Sequence, residues 1–312
     1  MDFDLNDDQR AILEAVEALL EQHAGAARAI ELQPKGEYDA SLDAALADAG
    51  FSDVGRDPDM GGLEATLVVE AVARAGGVVA IGAEAMVAPM LRDEPLPTPI
   101  ALATAGHGGA VRYAASARSL LVLGDREARW VALEPGDCAP VRSNFGYPMG
   151  RVSAEGTTRG DGLGVGSAAR LHTAWQLAIA AEAVGCMEAA LAQTVGYLKE
   201  RRQFGRAIGS FQAVQHRLAE CAIHVEGSRW LVREAAYQRA PTEGVATAAA
   251  FALSAAGRIF SEMHQLSGAI GFTREHDLHV WSMRLQALRL ELGGVAAHRR
   301  AIVAARWGGV GS

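Results

Sequence analysis

Three arginines crowd one short stretch. Arg201, Arg202 and Arg206 flank Phe204 and Gly205 in YLKERRQFGRAIGSFQAVQ, residues 197–215. Guanidiniums at a helix junction can grip phosphate through paired hydrogen bonds. The same residues also suit a solvated helix end, where the helix dipole favours cations. A second stretch, QLSGAIGF at 265–272, places Gln265 three residues before Gly268. Glycines let a backbone approach a ligand closely, and a glutamine amide can bond ribose or phosphate. A helix C-cap uses the same residue types. A third, EHDLH at 275–279, holds four potential metal ligands, but its spacing fits no zinc class and no metal is expected. It reads as a turn and helix start. His216, His224 and His264 read as packing or surface residues. The glycine-rich GDGLGVG at 160–166 follows a polar segment rather than a buried strand. It reads as a flexible lead-in to a helix, not a dinucleotide loop.

The elements around these residues are mostly helical. Gly205 and Gly209 are expected to end one long helix and turn the chain, with Ser210 capping a second helix from near Phe211. Helices are expected at about 169–202, 211–238 (stopped by Pro241), 245–267 and within about 281–306. Long helices with short connections imply an antiparallel bundle. Val214, Leu218, Ile223/Val225 and Leu231/Val232 supply an apolar stripe for the second of them. Upstream, residues 1–24 read as an amphipathic helix with Asn6 and Gln9 forming a capping-box-like start, and Ile12, Val16, Leu19 and Leu20 inward. Pro34–Gly36 breaks that pattern. A short helix at 39–50 turns in Leu42 and Leu46, and a helix at about 64–75 follows Gly61 and Gly62. Prolines 95, 97 and 99 mark a linker. Short β-like runs follow at 119–123, 130–133 and 151–154, predicting a small, mostly antiparallel β domain.

The two glycine-bearing motifs resemble those of one family. Arg201-x-x-Phe204-Gly205, followed by Ser210-Phe211-Gln212-Ala213, closely resembles the signature of the acyl-CoA dehydrogenases. Gln265 to Gly271 resembles that family's Q-x-x-G-G-x-G segment, with Ala269 in place of its second glycine. DMGGLEATLVVEAVARAG resembles its N-terminal loop and buried helix, with Asp59-Met60 where an acidic pair is more common. The resemblance implies a mainly α fold: an N-terminal helical domain (1–95), a small, shortened β domain (96–168) and a C-terminal four-helix bundle (169–312). It also implies that Arg201, Phe204, Gln212, Gln265 and Gly268 contact FAD, much of it held by a neighbouring subunit.

Dehydrogenating an acyl-CoA needs a carboxylate to take the α-proton while hydride leaves for the flavin. The family supplies that glutamate from one of two places. Counted without a gap from Gly271, one place falls on Leu292; with one inserted residue it falls on Gly293. Glu291 is adjacent and is the weak candidate, expected on another helix face. The other place falls on Trp175, with Gln176 following where many members have arginine, and Glu182 lies two turns further on. The family's flavin-cradling strand and W-I-T-N-like segment are also missing from the β domain. The resemblance therefore implies the non-catalytic partner in an α2β2 acyl-CoA dehydrogenase, of the kind formed from unlike subunits in steroid side-chain degradation. Its partners would be a homologous subunit, an acyl-CoA and an electron-transfer flavoprotein. One alternative is a homo-oligomeric enzyme with Glu291 as a displaced base. Another is a flavin-free scaffold.

Composition agrees with a globular chain of this size. Of 312 residues, half are hydrophobic and 21% charged, enough for sizeable cores. A net charge of -8 argues against nucleic acid and anionic membrane as partners. Glu70, Arg74 and Glu84 interrupt the apolar stretch 67–91, which rules out a simple membrane span there. The acidic N-terminus lacks a signal-peptide core. Three cysteines without paired spacing suit a reduced, cytoplasmic setting.

Overall fold

The computed structural model describes residues 4–57 and 60–308. Helix α1 is Asp7–His23, and its start is the expected capping box: Asn6 accepts from the Gln9 amide at 2.8 Å and Gln9 accepts from the Asn6 amide at 3.1 Å. Val16 and Leu20 of α1 are buried. The sequence reading missed α2 (Ala26–Leu32), which fits between α1 and the turn at Pro34 and left-handed Gly36. Helix α3, Ala40–Asp48, is capped by Asp39 and turns Leu42 and Leu46 fully inward. Helix α4, Gly62–Arg74, is buried continuously from Ala65 to Ala73. Asp59, part of the motif before it, lies outside the described residues. After α4 the chain winds through a π-helical turn at Gly82–Val87 and a 3-10 turn at Ala88–Met90.

Seven short strands follow: β1 Ile100–Thr104, β2 Ala110–Arg112, β3 Ser119–Leu123, β4 Ala128–Ala132, β5 Ala139–Val141, β6 Met149–Arg151 and β7 Asp161–Gly162. One sheet has the order β1-β3-β4-β7, with β1 and β3 parallel and the other pairs antiparallel. The second, β2-β6-β5, is antiparallel. Strand β3 stands where the sequence placed it, while the runs expected at 130–133 and 151–154 begin two residues earlier, and the second ends at Arg151. Strands β1, β2 and β5 escaped notice, since three to five residues beside prolines or glycines carry little periodic signal. Strand β7 corrects the lead-in reading of 160–166, because Asp161 and Gly162 pair with Trp130 and Arg129 as a sheet edge.

The remaining chain is α5 Ser167–Glu200, α6 Gln212–Tyr237, α7 Thr242–Ser267, α8 Leu278–Leu288 and α9 Gly294–Trp307. Between α5 and α6 lies a hairpin of β8 (Arg202–Gln203) and β9 (Arg206–Ala207). The single fourth helix expected within 281–306 is two helices. Leu292, Gly293 and Gly294 all have positive φ, which no α-helix tolerates in succession. Ile223, assigned to the inward stripe of α6, is 70% exposed, while Val225 and Val232 are buried. Helices α5 and α7 are long and apolar enough to cross a membrane by composition alone, yet 67% and 56% of their apolar windows are buried inside the bundle. Because α6 runs back against α5 and α7, the C-termini of α5 and α7 and the N-terminus of α6 share one end.

Close approach of α4 and α5 holds the helical halves together. A Cβ at Gly185 would stand 2.2 Å from the Glu70 carbonyl oxygen, so only glycine allows this contact. Gly196, on the same helix, has open space around it. Gly185→Ala is expected to destabilise the fold by about 1–3 kcal/mol through overpacking. Gly196→Ala is expected to stabilise by roughly 0.5–1 kcal/mol, the helix-propensity difference. Urea midpoints of the two variants measure both; equal midpoints would mean that the helices are not in this contact.

Candidate functional site

A cavity of about 420 Å³ lies between α4, the π-helical turn, β1, β2, α5 and the turn joining α8 to α9. Most of its wall is aliphatic, contributed by residues such as Val72, Ile81, Leu102 and Ile179. The polar groups converge at one side: Arg112 from β2, Tyr113 beside it, Trp175 and Glu182 from α5, and Glu291 from the α8–α9 turn.

These groups are bonded to one another. Arg112 Nη1 donates to both oxygens of Glu182, at 3.1 and 2.8 Å, and Tyr147 donates its hydroxyl to Glu182 Oε1 at 2.7 Å. Arg112 Nε pairs with Glu291 Oε1. The Trp175 indole donates to Glu291 Oε2 at 2.5 Å. The Tyr147 ring lies between two guanidiniums, Arg112 at 4.7 Å and Arg284 at 5.1 Å. Arg284 is itself buried and donates to the Gly77 and Gly76 carbonyls. Arg112 therefore pairs with both carboxylates, while Arg284 is held by backbone carbonyls. Burial raises the Glu291 carboxyl above its ordinary value, while Arg112 pulls it back down. Burial likewise pushes the neighbouring Cys186 thiol up to about 12, so it stays protonated and inert.

Glu291 does not sit on another helix face, as the sequence suggested. It opens a 3-10 turn, Glu291–Gly293, and lines the cavity beside Trp175. Left-handed Leu292 makes that reversal, and Gln176 Nε2 supports the region by donating to buried His298 Nδ1 at 2.8 Å. The two places where a family base was sought thus meet in space. Arg112, Tyr113, Tyr147 and Arg284 were not singled out from the sequence. A lone arginine on a three-residue strand carries no pattern that marks it as buried.

The basic motif lies elsewhere. Arg201 is the C-cap of α5, 19 residues beyond Glu182 and thus about 28 Å along the helix. The helix ends before Gly205, not at it. Phe204 and Gly205, both with positive φ, form the two-residue tip of the β8–β9 hairpin. Phe204 is 90% exposed, and among the described residues the Arg201 side chain has no bonding partner. Arg206 is occupied, stacked 3.9 Å from the Phe211 ring centroid. Ser210 does not cap α6: its hydroxyl donates to the Ala207 carbonyl, and Phe211 takes the cap position without a side-chain bond. Gln212 is exposed on the first turn of α6.

The second motif closes α7 at the same end. Gln265 is exposed, and Gly268 caps the helix with φ 65. Gly271 is buried, and Phe272 is 75% exposed. His276 packs on Tyr197 of α5 at 5.3 Å, tying the segment after this motif to the helix that leads into the first. Among the described residues no cluster of metal ligands is present, and His279 bonds the His276 carbonyl at 3.0 Å instead. His264 is buried between Phe260 and Phe272, while His216 is exposed. Arg201, Phe204, Gln212, Gln265 and Gly268 thus share an exposed end of the bundle. Exposed, unpaired donors fit the phosphate and ribose portions of FAD presented from outside. The charged groups of the cavity, by contrast, are already paired with one another.

Residues 162–307 match the family model described as acyl-CoA dehydrogenase, C-terminal domain. A relative named acyl-CoA dehydrogenase IpdE2, from Mycobacterium tuberculosis, is 42% identical over 106 residues; that match covers 34% of this chain and 33% of the relative. The matched stretch is thus about a third of the relative's length. Among solved structures, a chain of the ChsE4-ChsE5 complex from Mycobacterium tuberculosis superposes with TM-score 0.78 at 23% identity, covering 97% of this chain and 98% of that one. A variant of the steroid ACAD Tcur3481-Tcur3483 gives TM-score 0.80 at 21% identity, covering 98% and 99%. Identity at this level speaks for the fold.

Arg112→Met tests the charge cluster. It leaves Glu182 and Glu291 without their cation, a loss of about 3–5 kcal/mol at neutral pH for a broken buried pair. Glu291 already has a raised folded-state value, so the stability tied to it is full below the ordinary carboxylate range and falls as pH rises. Without Arg112 that value rises further. The deficit of Arg112→Met in urea denaturation is therefore expected to be smaller at pH 5 than at pH 7; an equal deficit at both would deny Arg112 its ion-pair role.

Proposed function

We propose that this chain is the non-catalytic subunit of a heteromeric, FAD-dependent acyl-CoA dehydrogenase, a reading supported by the match of residues 162–307 to the acyl-CoA dehydrogenase C-terminal domain model and by a shared fold along the whole chain. The single observation that carries this reading is the state of Glu291. A general base needs a free lone pair aimed at the proton that it removes. Both Glu291 oxygens are engaged, one by Arg112 and one by Trp175. The homologous partner would then supply the base and most of the acyl-CoA site.

FAD, when bound, supplies the acceptor for hydride from the β-carbon. This chain's part is to hold its phosphates and adenosine. Arg201 would form charge-assisted bonds to the pyrophosphate. Gln265 and Gln212 would bond polar edges, Gly268 would admit the ligand close to the backbone, and Phe204 would cover it. A pseudo-symmetric α2β2 tetramer suits a fold whose exposed end needs a partner. The acyl group is proposed to be steroid-derived; the named steroid ACAD neighbour supports this only at the level of fold. Electrons would pass to an electron-transfer flavoprotein. Three buried free cysteines support a reducing, cytoplasmic location.

The meeting of Glu291 and Trp175 in the cavity favours one second reading, a homo-oligomeric enzyme in which Glu291 leaves Arg112 and acts as base. The absorbance spectrum and solution mass decide. Colour and near-stoichiometric flavin only after co-expression with a homologous subunit support the heteromer. Flavin on the chain alone, as a homo-oligomer, supports the second reading. A colourless protein in both cases makes it a flavin-free scaffold. Within a coloured complex, Arg201→Ala is expected to lower flavin retention by roughly tenfold or more, as for loss of a charge-assisted bond of about 1.5–3 kcal/mol. Unchanged retention would remove Arg201 from the cofactor site.

A further inference from the structure

We propose that α9 is an acid-released latch: His298, as the neutral imidazole, docks the helix on α5 and holds the Glu291 turn in place, and protonation of His298 lets both go. The inference concerns the chain's own conformation and stands whether or not the chain carries flavin.

The anchoring of α9 is sparse. The helix packs along α7 and follows directly from the 3-10 turn Glu291–Gly293. Among the described residues of α9, only His298 is buried. Val295 is partly buried, while Val303 and Trp307 are more than half exposed. Apolar burial therefore contributes little to its docking, and a titratable side chain stands where an apolar anchor would.

The joint accepts one protonation state of the ring. His298 is fully buried, and its Nδ1 accepts from Gln176 Nε2 of α5 at 2.8 Å. An amide nitrogen only donates, so Nδ1 is bare and the hydrogen sits on Nε2. Nε2 lies toward the Glu291 carbonyl without completing a hydrogen bond. Protonation would set an N–H on Nδ1 against the N–H of Gln176, donor against donor. Gln176 Oε1 is itself buried and unbonded. Turning the amide over would bring that oxygen to Nδ1 and answer the clash, but not the charge.

The carboxylates of the surrounding elements are already committed. Helix α5 brings half-buried His172, a second imidazole whose charge would repel. Glu182 of α5 and Glu291 of the turn are both held by Arg112. Arg289, at the end of α8, bonds the Leu253 carbonyl and Gln286. On α7, Glu243 pairs with Arg306 of α9, while Arg258 and Glu262 pair with α6. Arg299 of α9 reaches Ser254, and Arg300 is exposed. Burial first, and then His172, hold the His298 imidazole down at about 4, against an ordinary 6.5. A depressed histidine favours the docked arrangement fully above 6.5, and that contribution is lost as pH falls toward 4.

Hydrogen exchange of the full chain, corrected for the intrinsic pH dependence of exchange, tests the latch. Between pH 7.5 and 5.5 the opening of α9 is expected to grow about tenfold, with the amides of 291–293 following it and those of α7 unchanged. His298→Gln, which does not titrate, is expected to remove this pH dependence. His172→Gln is expected to reduce the opening at pH 5.5. Exchange of wild-type α9 that is independent of pH overturns the latch, and so does loosening of α7 in step with α9. A pH dependence kept in His298→Gln overturns the role of His298. Turn amides that stay protected while α9 opens overturn the link to Glu291. Because His298→Gln could leave α9 open at every pH, the ring nitrogens of His298 in the wild type are also followed by NMR. They are expected to show the neutral ring, with hydrogen on Nε2, wherever α9 is protected; a charged His298 under a protected α9 overturns the proposal.

Discussion

The Arg112 guanidinium joins parts of the chain that have little else in common. It comes from a three-residue strand, takes Glu182 from the middle of the longest helix, and takes Glu291 from a turn near the C-terminus. Sheet, bundle and terminal helices are thus tied at one buried point. Desolvating these charges is costly, so the cluster adds little net stability compared with an apolar core. What it does is fix β2, α5 and the α8–α9 turn against one another, since a shift of any of them breaks an Arg112 pair. The same pairing bears on the chemistry of the cavity, because a guanidinium and an indole that bond a carboxylate stabilise its ionised form and make it a weaker base.

Much of the helical architecture was legible in the sequence. The Asn6–Gln9 capping box, the inward Leu42 and Leu46 and the long helices of the second half follow from local rules that act within one or two turns. The motif segments at 201–212 and 265–272 stood out only through a family resemblance, because their residues alone fit a solvated helix end and a helix C-cap as well. Their convergence at one end follows from counting helices and reversing direction at each.

The cavity was not legible, for physical reasons. Glu291 was sought by counting along a helix, and the helix is interrupted by Leu292 in a left-handed conformation that no propensity scale assigns to leucine. Ser210 looks like a helix cap, yet its hydroxyl turns back to the Ala207 carbonyl of the hairpin. Arg112 ends a strand too short to show alternation, and Tyr113 follows it. Their burial is decided by Glu182 and Tyr147, 70 and 34 positions away, and such pairings leave no trace in a single sequence.

Phe204 stands at the tip of a two-residue hairpin, left-handed and almost wholly in water. Such a residue carries a backbone strain and an exposed aromatic surface, and a cover takes the aromatic surface out of water. Any species that covers Phe204 binds the folded chain and not the unfolded one, so it shifts the folding equilibrium by mass action. Where such a species is present, the stability of this protein is not a property of the chain alone. It is a function of concentration, set by how much of the covering surface is at hand in the same solution.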